Sequence, residues 1–458
     1  MKKTLVVTGL AVSAVVAGPQ AVETQSIAEV AGSDVKRSSP GFVVGLIQTG
    51  TISFLEPFGT AGLETEEALS ADQLFSFPAL TELLVSATVQ ALADAELLNR
   101  DAPISTYFPL ISKRMGTITL NQLLTHSSGL DDARVQSRFT WTQVMDQLND
   151  AVLFTDPGVI HSKSRYSFPL AIRAVEKAVG SPFSELVELA ILGPLEMTRS
   201  TFDLEKAEQL GLAKGIEYDS ADGGGYREIL PSTEANGLPV LFTTVEDVLH
   251  FLASWMGGGI RGTPPWEEGW ERSTDGLPGE RGTRGGVRVE RVAGHLRASR
   301  EGSALGSNAT VHLFPEANTA LVGLGMGYSP SRTIRLALDR VTAGLGPGSG
   351  TSGEALADSL RPTVVPKHEG GWTGRFLNGD RKVQLSLDGP GLVYHTATEL
   401  VDVSPGTGGY MILTRRPTGR VGVKFQLVLD RSGRRYAILD GKAFIHEDDA
   451  RVYSHGTL

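Results

Sequence analysis

QLFSFPALTELLVSATVQAL, residues 73–92, contains a helix with almost no polar side. Leu80, Leu83, Leu84, Ala87, Ala91 and Leu92 follow the i, i+3, i+4 spacing of one helix face, and Val85 and Val89 fill the other. A helix that is apolar nearly all round is a buried one. Pro78 suits its first turn, where a missing N–H costs no intrahelical bond. Only Glu82, Ser86 and Gln90 make a weak polar stripe. The fold is therefore expected to be assembled around this helix.

Before it, GFVVGLIQTGTISFLEPFG reads as two strands about a turn at Thr49-Gly50, preceded by a polar linker. After it, SPFSELVELAIL predicts an amphipathic helix with Ser181 as N-cap and Pro182 just inside. TTVEDVLHFLASWM, 243–256, predicts another, capped by Thr243 or Thr244. Residues 257–286 carry Gly, Pro, Arg and Glu without periodicity and read as a long loop. ATVHLFPE and TALVGLGM then read as strands, and SRTIRLALDRVTAGL as a helix. Strands at both ends with helices between fit an α+β domain whose sheet is completed by its two ends.

GPGSGTSG, 346–353, reads as a flexible linker. Beyond Gly370 come short alternating runs, KVQLSL, GLVYHT, YMILTRR, VKFQLVLD and RYAILD, separated by turn signals such as Asp388-Gly389 and Ser432-Gly433. They predict a small antiparallel β-domain, sandwich or barrel. At the other end, MKKTLVVTGLAVSAVVAGPQAVE has two lysines, an apolar stretch from Leu5 to Val16 and then small residues. That is the shape of a secretory signal peptide over 1–21, which would make the protein extracytoplasmic or secreted. Uncleaved, the same residues are a first strand or a tail of a cytoplasmic protein. The stretch is too short to span a bilayer, and no later segment resembles a transmembrane helix.

The chain has 458 residues and a formal net charge of −10. With no Lys/Arg run, that balance argues against nucleic acid or an anionic membrane as partner, because phosphate binding needs a basic face. There is no cysteine, hence no disulfide, thiolate metal site or Cys nucleophile. No spacing suggests a metal or another cofactor. GGGY, 223–226, lacks the strand–helix context of a phosphate loop and reads as a turn.

Four separated stretches carry a family resemblance: NRDAPISTYFP (99–109), TITLNQLLTHSSGL (117–130), GPLEMTRST (193–201) and NGLPVLFTTVEDVLHFL (236–252). In order and spacing they resemble the serine β-lactamase and penicillin-binding hydrolase superfamily, including class C β-lactamases, D-Ala-D-Ala peptidases and related esterases and transesterases. The resemblance implies a β-lactamase-like α+β domain over 38–343, an antiparallel sheet plus a helical domain. A linker over 344–365 and a small C-terminal β-barrel, lipocalin-like, over 366–458 would follow.

The resemblance also says where chemistry should sit. The family opens its buried helix with Ser-x-x-Lys: serine attacks a carbonyl, lysine helps remove its proton, and the helix N-terminus favours the developing charge. The register set by the flanking stretches puts Ala79 at the serine and Glu82 at the lysine. Ser76 is followed three residues later by Ala79, so a slipped register does not restore the motif. SDVK, 33–36, matches it but precedes the first strand. The family's Tyr-x-Asn falls on Tyr166-Ser167-Phe168, with Phe able only to pack. Its Lys-Thr-Gly or His-x-Gly strand motif is placed at His295-Leu296-Arg297, where Arg297 would crowd the substrate path.

Losing the nucleophile of a serine hydrolase costs about 10⁶ in kcat. The expected function is thus a pseudo-hydrolase that binds a small molecule or peptide in the retained cleft, lined by Ala79, Phe168 and Arg297. A second expectation is a repurposed acid/base enzyme acting on a small carbonyl compound through Glu82, Tyr166 and His295. A third is a hydrolase or transesterase with a displaced nucleophile, Ser76 or Ser167. For each residue a plain reading stands beside the functional one: Glu82 as a first-turn acid, Tyr166 as packing, His295 as an exposed strand residue, Arg297 as closing the cleft. His126 reads as architectural.

Overall fold

The computed structural model describes residues 25–109, 111–130, 153–220, 224–235, 237–260, 283–345, 374–378, 381–388, 391–395, 400–405, 411–415, 419–420, 425–429, 434–439, 442–446 and 448–449. The signal-peptide segment, most of the 257–286 loop and the 346–353 linker lie outside the described residues. Two compact units emerge. One combines the chain up to Asn99 with Val175–Glu267 and Gly285–Gly353; the other combines Arg100–Ala174, Glu268–Arg284 and Glu354–Leu458.

The first unit is built on a large antiparallel sheet in the order Thr51–Gly59, Gly41–Gln48, Thr319–Met326, Ser307–Phe314, His295–Ala304, Val287–Val292. The first two strands join edge to edge with the late ones through Gly41–Gln48 and Thr319–Met326, so the sheet is indeed completed by both ends of the domain. Thr49 and Gly50, with φ of 51° and 82°, make the tight turn between the first pair. Helices Gln25–Asp34 and Ser331–Leu345 cover one face. There Ile27, Ala31, Ile334, Ala337 and Val341 pack on Phe42, Val44, Leu46, Phe314 and Leu321.

Gln25–Asp34 corrects the expected polar linker, and it places Ser33 and Asp34 of SDVK in a helical last turn. Its buried apolar stripe is only Ile27 and Ala31, too thin to announce itself. Asp34 accepts hydrogen bonds from Thr333 N and Oγ1, both 2.8 Å, which tie the two helices together.

On the other face lie helices Pro78–Asp94 and Val245–Met256. Val245–Met256 packs so closely on Gly41–Gln48 that a Cβ at Gly45 would stand 2.6 Å from Val245 Cγ1, so only glycine fits there. Thr244, rather than Thr243, caps this helix by accepting from Asp247 N. In Pro78–Asp94 the residues from Leu80 to Val85, Glu82 excepted, are fully buried, as are Ala87 and Val89. Burying each such Leu or Val stabilises by about 2 kcal/mol. The 181–192 stretch is shorter as an α-helix than its periodicity suggests. Pro182 is extended (φ −56°, ψ 143°) and forms the N-cap, the α-helix spans Phe183–Val187, and Glu188–Leu192 continues as a wider π turn.

In the second unit, Leu120–Leu124 is a short helix with a complete capping box. Thr119 Oγ1 accepts from Gln122 N, and Gln122 Oε1 accepts from Thr119 N. The helix Ser167–Val179 begins in this unit and runs past its boundary at Ala174. The C-terminal strands form one antiparallel sheet, from Leu400–Pro405 through Gly391–His395, Arg381–Asp388, Gly374–Asn378, Lys442–His446, Arg435–Leu439 and Phe425–Leu429 to Met411–Arg415 and Gly419–Arg420. No described helix is long and apolar enough to cross a membrane.

Candidate functional site

The start of Pro78–Asp94 is fixed from several sides. Phe77 N donates to Leu241 O (2.8 Å), Thr81 Oγ1 donates to Pro239 O (2.8 Å), and Ser76 Oγ lies 2.8 Å from Ser307 Oγ. Ala79 and Glu82 stand in the helix's first turns. Glu82 Oε1 takes an ion pair from Arg300 Nη2 at 2.7 Å, and the two side chains are only 17% and 20% exposed. Glu82 Oε2 and Arg300 Nε are buried and have no hydrogen-bond partner among the described residues. Gly286, at φ 81°, closes against the same spot. A Cβ there would come within 3.0 Å of Glu82 Cβ and 3.1 Å of its carbonyl carbon.

Strand pleating sorts the His295–Ala304 side chains by parity. Arg300 shares its face with buried Ala298 and with Gly302, toward the Pro78–Asp94 helix. Arg297, Ser299 and Glu301 point to the opposite face. There Arg297 pairs with Glu290, its cross-strand neighbour, and Glu290 also takes Arg288 at 3.1 Å. His295 lies where the strand leaves the Ala293-Gly294 turn, paired with Val292 and half-buried. Within this unit the strand residue that meets Glu82 is thus Arg300, while Arg297 pairs with Glu290 on the opposite face. Arg300 was missed in the sequence. The usable signal was Gly302 two residues on, which repeats the cation-x-Gly pattern of the strand motif.

The Arg297 face holds a buried histidine. His312 sits opposite Ser299, 3% exposed, with Nε2 3.6 Å from Glu301 Oε1. Burial and the Arg297 charge, opposed by Glu290, push it down to about 4, so it is neutral at pH 7. The unfolded chain takes up this proton near pH 6.5, the folded one only near 4. Stability supplied by neutral His312 is complete above pH 6.5 and is lost as pH falls toward 4, by about 3 kcal/mol. His312→Gln should flatten that part of the profile. Urea midpoints measured from pH 7.5 to 4 check this; parallel profiles for both proteins would refute it.

In the second unit, Tyr166 and Phe168 are buried at the head of Ser167–Val179. Phe168 packs edge-on against His126, ring centroids 5.5 Å apart, and His126 against His161 at 6.0 Å. His126 adopts φ 53°, and its carbonyl accepts from Ser162 N at 2.8 Å. Its surroundings are those of a packed loop residue. Half-buried Lys163 and exposed Arg165 are the cations of the loop leading to Tyr166. The two serines considered as displaced nucleophiles are both buried: Ser76 is bonded to Ser307, and Ser167 is enclosed at the helix start. No cluster of three or more His, Asp or Glu able to hold a metal occurs among the described residues.

Comparison with known proteins puts this geometry in a family. The Beta-lactamase family model matches residues 19–343. Esterase EstB of Burkholderia gladioli is 24% identical over 260 residues, 47% of this chain and 66% of the esterase. The D-alanyl-D-alanine-carboxypeptidase/endopeptidase AmpH of Escherichia coli K12 is 31% identical over 143 residues, 29% of this chain and 37% of AmpH. The chain therefore spans just under two thirds of the first of these relatives and little more than a third of the second. Among solved structures, SurE superposes with a TM-score of 0.69 at 14% identity, over 93% of this chain and 99% of SurE; at that identity the likeness is one of fold alone. The match to the family model over most of the sequence makes this chain a member of the beta-lactamase family.

Proposed function

We propose that this protein is a β-lactamase-fold protein without the family's covalent chemistry, which binds a small molecule or peptide beside the start of the Pro78–Asp94 helix. The observation that carries this reading is the Glu82–Arg300 ion pair. Where the family has a lysine ammonium to take the serine proton, this chain has a carboxylate neutralised by a guanidinium. Ala79 supplies no nucleophile at the serine position. The strand motif falls on Arg300-Glu301-Gly302, which keeps the glycine that the 295–297 register lacks. The names of the relatives, an esterase and a D-alanyl-D-alanine peptidase, point to an ester or a short peptide as ligand.

The domain limits 38–343 and 366–458 and secretion through residues 1–21 belong to the same reading. A C-terminal barrel is supported by Leu400–Pro405 pairing with both Gly391–His395 and Met411–Arg415, which returns the run of strand pairings on itself.

The test is intact-mass spectrometry after prolonged incubation with benzylpenicillin and with a fluorophosphonate. No adduct is expected. A stoichiometric mass increase mapped to any serine would overturn the reading and restore a displaced nucleophile. One observation favours the acid/base alternative: Glu82 Oε2 is buried without a hydrogen-bond partner among the described residues, an unused acceptor that a substrate proton would satisfy once ligand binding opened the spot. Turnover of an ester by the native protein without adduct, abolished in Glu82→Gln, would select that alternative.

A further inference from the structure

The C-terminal strands Arg435–Leu439 and Lys442–His446 lie beyond residue 343, where the family match ends. They nevertheless hold the stretch that leads to Tyr166. Phe154 and Ile160 are buried in one cluster with Tyr436, Ile438, Ala443 and Ile445. Thr155 Oγ1 and Tyr436 OH are 3.0 Å apart, both fully buried. Ala443 N donates to Ser162 Oγ at 3.0 Å. Ser162 N in turn donates to His126 O at 2.8 Å, and the His126 ring packs on Phe168. A continuous path of buried hydrogen bonds and ring contact thus runs from the C-terminal sheet to the residues around Tyr166.

We propose that Tyr436 and Ser162 are positioning residues: through them the C-terminal sheet sets the conformation of residues 153–168, the stretch of the second unit that leads to and carries Tyr166. Both contacts are made by polar groups out of water. A buried amide left without its acceptor costs more than the bond contributes in place, so each contact discriminates against other loop positions. The proposal does not depend on which chemistry the site performs.

The test is hydrogen exchange read by mass spectrometry on the full chain. Tyr436→Phe and Ser162→Ala should each raise exchange of the 153–168 peptides about 10-fold, the effect of one lost hydrogen bond on a local opening. Peptides from Gly41–Gln48 should be unchanged. Ser162→Thr keeps the acceptor oxygen and should restore protection. Thr155→Val approaches the same bond from the other side without altering the sheet, and should reproduce Tyr436→Phe if that variant folds poorly. Faster exchange at 435–446 with 153–168 unchanged would overturn the proposal. So would a uniform rise in every peptide, because the contacts would then serve only global stability.

Discussion

Glu82→Lys is expected to lower the stability of the protein by about 3 kcal/mol, and Arg300→Glu added to it should restore most of that loss. The single change puts an ammonium where a carboxylate now touches a guanidinium at 2.7 Å. Exposed ion pairs contribute only about 0–1 kcal/mol, and breaking a fully buried one costs about 3–5 kcal/mol. With side chains 17% and 20% exposed, this pair lies nearer the buried case. Two like charges 4 Å apart in a partly screened site repel by about 4 kcal/mol before they move. Movement is restricted here, because Gly286 closes on the Glu82 backbone and Cβ. Chemical denaturation of the wild type, both single variants and the charge-reversed double gives the coupling energy directly. A coupling below about 0.5 kcal/mol would mean that the pair is a solvent-screened contact of no structural weight.

The fold was legible because its signals are long and redundant. A seventeen-residue helix apolar nearly all round reads as a core helix, and the strands at 41–59 and 307–326 are separated by ordinary turn chemistry. The site was less legible, and the strand at 295–304 shows why. Its alternation is obscured by charge on both faces: Arg297, Arg300 and Glu301 are all polar, yet two of them point away from the helix and one toward it. A reading that starts from the histidine selects His295-Leu296-Arg297, five residues before Arg300-Glu301-Gly302, and only the contact of Arg300 with Glu82 shows which parity of the strand faces the helix. The Gln25–Asp34 helix escaped for a related reason. Its place is settled by Asp34 bonding to Thr333, almost three hundred residues away, which no local pattern can announce. The same holds for Ser162 and Ala443.

That parity determines which changes should return the family's chemistry. Ala79→Ser alone is expected to give no measurable acylation, because the new hydroxyl would have no base and Glu82 would remain tied to Arg300. Ala79→Ser with Glu82→Lys should fold poorly, for the reason given by the charge-reversal cycle. Adding Arg300→His removes the repulsion at neutral pH and creates the family's His-x-Gly pattern with Gly302. This triple variant is therefore the smallest set expected to be acylated by p-nitrophenyl acetate, about 100-fold above the wild-type background. A complete catalytic set is worth about 10⁶ in kcat, but a shell misplaced by about 1 Å forfeits at least 10² of it, so full recovery is not expected. Arg297→Gly should add nothing, because Arg297 lies on the opposite face with Glu290 and His312. The measurement is peptide mapping for acylation at position 79, with far-ultraviolet circular dichroism to establish folding. A folded triple variant without acylation would place the defect outside these three positions. The position of the family's Tyr-x-Asn motif, where Phe168 stands in place of the asparagine and packs on His126, would then be the next to restore.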